Sequence, residues 1–173
     1  MNNANEMNLE QLAIAVKEAL QAKGQMMATA ESCTGGLIAS TLVDIPGSSA
    51  VLAGGIVAYQ NEVKENLLDV PAEILNTVGA VSAETVKAMA EGARRKFGCE
   101  WAVSTSGIAG PGGAEPGKPV GTVWIGVANS LQNEAFCEIF SGNRNQVREK
   151  SVYRTLQVLL EKIVQKGTCT SEH

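Results

Sequence analysis

The stretch ATAESCTGG, residues 28–36, brings Ser32 and Cys33 to the start of a turn that ends in Gly35 and Gly36. A serine between a strand and a helix can present its hydroxyl as a nucleophile. Free N–H groups of the following turn can then hold an oxyanion or a phosphate. Serine is also a preferred helix N-cap, and a Gly-Gly pair serves equally well in a tight turn. The local pattern leaves both readings of Ser32 open. Cys33 is the rival nucleophile, since a helix N-terminus can lower a thiol pKa. With no histidine to relay its proton, Cys33 reads as a small helix residue.

The single histidine, His173, lies in the polar stretch GTCTSEH and is expected to fray. Ser-His-Asp and Cys-His hydrolases need a rigidly held imidazole. Any acid–base chemistry here therefore falls to Lys, Tyr, Asp or Glu. The stretch YQNEVK, residues 59–64, offers Tyr59 and Lys64. A lysine made neutral by burial can deprotonate a serine, and a tyrosine can pass or orient the proton. The commoner fate of such a lysine is a surface pair with a neighbour such as Glu62 or Glu65. Spacing does not choose between the two.

The loop SGIAGPGG, residues 106–113, exposes consecutive backbone N–H groups that can cradle an anion or an amide, which makes Ser106, Gly107 and Gly110 candidates. It matches neither the Walker A pattern nor the dinucleotide fingerprint. In FSGNRNQVR, Ser141 to Asn143 read as caps, and Arg144 and Arg148 fall in the first turns of a helix. Arginine there opposes the helix dipole unless an anion or a carboxylate sits beside it. Arg144 is thus read as facing a phosphate or an acidic side chain, with a structural ion pair as the alternative.

Something must position these groups. Helical spacing over 8–23 ends at Gly24, and a short buried strand follows in QMMATA. CTGGLIASTLVDIPG reads as a helix stopped by Pro46 and Gly47, AGGIVAY as a second buried strand, and NEVKENLLDV as a short helix. Ser82 caps the helix VSAETVKAMAEGARRKFG, and WAVSTS is a strand running into the glycine-rich loop. VGTVWIGVA and EAFCEIF form a hairpin, closed by a long amphipathic helix from 143 onward. This alternation predicts an α/β fold, a three-layer α/β/α sandwich around a mixed sheet. One domain is expected over 1–167, with 168–173 as a disordered tail. Ligands of such sheets bind beyond the carboxyl ends of the strands. The loops at 31–36, 59–64 and 106–113 fall there.

A net charge of −4 gives no basic footprint for nucleic acid. No apolar run reaches the roughly 18 residues that span a bilayer, so no membrane partner is expected. MNNANEMNLEQ has neither the basic nor the apolar region of a secretory leader. The four cysteines, Cys33, Cys99, Cys137 and Cys169, lack CxxC spacing. They fit reduced thiols in the cytoplasm better than disulfides or a metal site. Neither a metal nor a cofactor is expected.

Taken in order, AESCTGG, IPGSSAVLAGGIVAYQNEVK, GAVSAETV, SGIAGPGG, KPVGTVWIGVA and FSGNRNQVR resemble the CinA C-terminal domain family, the nicotinamide-nucleotide amidohydrolases, over roughly 9–165. The resemblance implies an α/β/α fold. It also implies hydrolysis of the carboxamide of nicotinamide mononucleotide, giving nicotinic acid mononucleotide and ammonia. The family is described as metal-free serine amidohydrolases using a Ser/Lys pair with an assisting tyrosine. By motif these roles fall on Ser32, Lys64 and Tyr59. The expected oxyanion donors are the N–H groups of Cys33, Thr34, Gly35 and Gly36. Arg144 and the 106–113 loop are expected to hold the ribose phosphate and the base. The motif reads SGNR here, where SGDR is common in the family. Two other readings are a catalytically silent nucleotide-binding paralogue and a hydrolase of a different small amide. The expected partner is a small-molecule nucleotide substrate, and the chain is expected to form a homo-oligomer, a dimer or higher.

Overall fold

Five consecutive buried residues, Met27–Glu31, form β1 at the middle of the fold. Met27 on one face and Ala28 and Ala30 on the other supply the apolar cover of a strand buried on both sides. In the computed structural model, which describes residues 7–165, β1 pairs in parallel with β2 (Leu52–Val57) and β3 (Trp101–Gly107). β3 continues antiparallel into β4 (Thr122–Ala128), and β4 into β5 (Asn133–Ile139). The spatial order is β2-β1-β3-β4-β5, a five-stranded mixed sheet. The expected tail at 168–173, and His173 with it, lies outside the described residues.

Strand alternation divides the sheet between two cores. Met27, Val103, Val123, Ile125 and Val127 face helices α1 (Leu9–Ala22), α2 (Leu37–Val43) and α6 (Arg144–Val164). Ala28, Ala30 and Ala102 face α3 (Asn61–Leu68), α4 (Ala72–Thr77) and α5 (Ala83–Phe97). The result is the three-layer α/β/α sandwich expected from the alternation. Asn8 and Gln11 cap α1 reciprocally, Ser82 caps α5, and Asn143 with Gln146 caps α6. Each of these side chains supplies an acceptor for N–H groups the helix cannot satisfy.

Two elements depart from the expectation. β2 is an edge strand with alternating exposure rather than a buried one, and Val57 is half exposed. Its small apolar residues could not announce that only one neighbour would pair with it. Helix α2 starts at Leu37, four residues later than the sequence suggests, because Gly35 and Gly36 both take positive φ, +60° and +94°. Those left-handed positions make a turn that no right-handed helix can contain. Ser32 therefore does not cap α2.

The cap comes from Glu31. Its carboxylate, 1% exposed, accepts from the N–H of Ile38 (2.8 Å) and Ala39 (3.1 Å), and from the Thr34 hydroxyl (2.7 Å). Thr29 donates a further, longer bond of 3.3 Å. An anion at a helix N-terminus is favoured by the dipole as well as by the hydrogen bonds. Glu31→Ala orphans these donors inside the fold, so we expect a loss of about 3 kcal/mol. That corresponds to a melting temperature lower by about 10 °C in a thermal melt.

Candidate active site

The carboxyl ends of the three parallel strands and the start of α6 converge on one cleft of about 210 Å³. It is lined by Ser32, Cys33, Tyr59, Asn61, Lys64, Ala80, Val81, Ser106, Gly107, Ala109 and Arg144. Alternation along β1 sends Glu31 toward α2, so the next residue, Ser32, turns to the other face, where α3 lies. The Ser32 N–H donates to the Thr105 carbonyl at 2.9 Å, which ties the nucleophile turn to the end of β3.

Lys64 is the largest fully buried side chain of the described residues, 1% exposed. It shares a face of α3 with Leu68, four residues on, and both are buried. Its Nζ lies 3.3 Å from Ser32 Oγ and donates to the Tyr59 carbonyl at 3.1 Å. Among the described residues no carboxylate pairs with it. The alternative of a surface pair with Glu62 or Glu65 is not realised. Burial without a counter-charge disfavours the ammonium and pulls the Lys64 pKa below the ordinary lysine value. Cys33 goes the other way: desolvation pushes its thiol up to about 11. A thiol that keeps its proton is a poor nucleophile.

Tyr59 meets the pair through its main chain. Its side chain is mostly exposed, and its hydroxyl accepts from Arg144 Nη2 at 3.1 Å. Arg144 Nη1 donates to the Gly110 carbonyl at 2.8 Å, so the guanidinium bridges the loops that follow β2 and β3. Neither partner is a carboxylate, and among the described residues Arg144 joins no ion pair. A positive charge is left uncompensated at the cleft mouth.

The candidates separate clearly in space. Ser32, Cys33, Tyr59, Lys64, Ser106, Gly107 and Arg144 line the cleft, and Gly110 joins through its carbonyl. Gly107 leaves no room for a side chain: a Cβ there would lie 2.7 Å from the Thr122 carbonyl. Thr34, Gly35 and Gly36 do not line the cleft. Thr34 turns its hydroxyl to Glu31 and Thr105, and the Gly35 N–H donates to the Ser32 carbonyl at 3.1 Å. The expected oxyanion donors are therefore reduced, because Gly35 is already committed. Sequence reasoning missed Glu31, Thr105, Asn61 and the Ala80–Val81 wall. Among the described residues no group of three or more His, Cys, Asp or Glu could hold a metal ion. None of their helices is long and apolar enough to cross a membrane.

Fold and cleft together define a three-layer α/β/α protein with a buried serine–lysine pair at the carboxyl edge of its sheet. The model of the CinA C-terminal domain matches residues 9–163, and the chain belongs to that family. A CinA-like protein of Parasynechococcus marenigrum (strain WH8102) is 48% identical over 157 residues, covering 90% of this chain and 38% of that protein. One of Anaeromyxobacter sp. (strain K) is 49% identical over 140 residues, 81% of this chain and 34% of that protein. The chain thus spans little more than a third of the length of these curated relatives. Solved structures match end to end. The CinA superfamily protein from Klebsiella pneumoniae 700603 superposes with a TM-score of 0.88 at 37% identity, covering 91% of this chain and 98% of that one. The one from Enterobacter cloacae gives 0.90 at 31% identity, covering 94% and 96%.

Proposed function

We propose that this chain is an amidohydrolase that deamidates nicotinamide mononucleotide to nicotinic acid mononucleotide and ammonia, with Ser32 as nucleophile and Lys64 as base. The observation that carries the reading is the buried Lys64 amine, 3.3 Å from the Ser32 hydroxyl and without a carboxylate partner among the described residues. Burial favours the free amine of a lysine held this way, and a serine needs such a base to attack an amide.

Neutral Lys64 takes the Ser32 proton as Oγ bonds to the carboxamide carbon. The carbonyl electrons move to oxygen, where N–H groups of the turn after Ser32 hold the charge. The C–N bond then breaks, and the Lys64 ammonium returns its proton to the departing nitrogen, which leaves as ammonia. Water attacks the resulting ester with Lys64 again as base, and Ser32 regains its proton as the carboxylate departs. The hydroxyl of Tyr59, bound to Arg144, orients that guanidinium toward the substrate phosphate. The apolar walls at Ala80, Val81 and Ala109 suit a pyridine ring.

An ammonia-release assay over a panel of amides tests the reading. Nicotinamide mononucleotide should turn over fastest, and the phosphate-free riboside should show a raised KM. Turnover of another amide alone would overturn the substrate assignment.

The Lys64 assignment also fixes the pH dependence. The base must be neutral, so kcat/KM rises with pH as Lys64 loses its proton. Since burial lowers that pKa, the limb should level off below the pH at which an exposed lysine titrates. A limb at the ordinary lysine pKa would contradict the assignment.

A further inference from the structure

We infer that Arg148 is a positioning residue for the proposed reaction, clamping the turn after Ser32 so that its N–H groups are aimed and polarised for the oxyanion. The inference rests on the serine-nucleophile reading above. Arg148 Nε donates to the Cys33 carbonyl at 3.1 Å, and Nη2 donates to the Thr34 carbonyl at 2.9 Å. One planar fork thus holds two consecutive carbonyls across 115 positions of sequence.

A trans peptide points its C=O and N–H in opposite directions. Fixing the Thr34 carbonyl therefore fixes the Gly35 N–H, which closes onto the Ser32 carbonyl at 3.1 Å and so fixes the Cys33 N–H on the far side of that peptide. That N–H has no backbone acceptor among the described residues, and Cys33 lines the cleft. The turn needs such a clamp because Gly35 and Gly36 are both in left-handed conformations, where the backbone alone enforces little.

The clamp also carries charge. Arg148 joins no ion pair among the described residues. Its field therefore acts along the peptides it holds, drawing electron density toward their oxygens and strengthening their N–H donors. Arg148 itself does not line the cleft. Its place on α6 is secured by the buried Val147 and Ser151 on either side and by the Asn143 cap.

The experiment compares wild type with Arg148→Ala and Arg148→Lys in two assays. These are steady-state deamidation of nicotinamide mononucleotide and the rate of Ser32 labelling by an aryl fluorophosphonate. Arg148→Ala should lose roughly 30- to 100-fold in kcat, somewhat less than the roughly 10²- to 10³-fold of deleting an oxyanion donor outright, with KM changed less than about twofold. Added guanidinium should restore part of that loss. Arg148→Lys, which keeps charge but not the fork, should fall between. Labelling of Ser32 should slow in parallel.

If wild type labels but does not deamidate, the substrate reading fails, and slower labelling of Arg148→Ala still supports the clamp. Three results overturn the clamp. One is an Arg148→Ala protein within about twofold of wild type in both assays. Another is a loss that appears only in KM. The third is a wild type that neither deamidates nor labels. Should Arg148→Ala not fold, Arg148→Lys alone decides, with unchanged kcat and labelling rate overturning the inference.

Discussion

Lys64→Met should lower kcat/KM by about 10³-fold and at the same time raise the melting temperature. The two effects have one cause. The amine is fully buried and no carboxylate among the described residues offsets its charge. The fold therefore carries a desolvation cost whenever Lys64 is protonated or must give up its proton to stay buried. The unfolded chain binds that proton up to the ordinary lysine pKa, while the folded chain releases it earlier. Between the two values the unfolded state holds more protons, so stability rises with pH across that window. Methionine fills a similar volume without the charge. Its stabilising effect should be full at pH values below the folded pKa and fade as the pH climbs toward the ordinary lysine value. A melt of both proteins at several pH values, beside the ammonia assay, checks it. A variant less stable than wild type at neutral pH would mean that Lys64 is paired and charged.

The second large effect is expected at Gly92, far from the chemistry. Alanine in a helix interior normally gains about 1 kcal/mol over glycine. At Gly92 of α5 a Cβ would stand 1.9 Å from the Leu68 carbonyl oxygen and 2.8 Å from its carbon. Both are backbone atoms, so no rotamer change makes room. Leu68 is the last residue of α3, the helix that carries Lys64. Gly92→Ala must push α3 away from the sheet or distort α5, at a cost of about 3 kcal/mol that outweighs the propensity gain. Displacement of the Lys64 amine by about 1 Å should also reduce turnover by up to about 10²-fold. Thermal melts and the ammonia assay report the two losses together. A stabilised Gly92→Ala protein would show that α3 and α5 are not packed this closely.

Much of the frame is legible in the sequence, because caps and periodicity are local. Ser82 with the turn after it, Gly24, the β4–β5 hairpin and the Asn143 start of α6 all stand where the pattern puts them. What is not legible depends on contacts between distant segments. Glu31 looks like a strand-end acid until α2 folds its N-terminus onto it. The helix start slipped from 33 to 37 because a glycine pair reads equally as helix opening or left-handed turn. Lys64 was ambiguous between surface and site, although its four-residue spacing from Leu68 places it on the buried face of α3. Arg144 and Tyr59 are 85 residues apart, and neither residue type announces the other.

The central claim is that Ser32 is the nucleophile served by Lys64. The most direct measurement is ammonia release from nicotinamide mononucleotide by Ser32→Ala beside wild type, at equal folded concentration as judged by their melts. Ser32→Ala should melt within about 2 °C of wild type, since Ser32 caps no helix and lines the cleft. Its rate should fall by about 10⁴-fold or more. A folded Ser32→Ala protein that keeps its rate to within about tenfold would rule Ser32 out as the nucleophile.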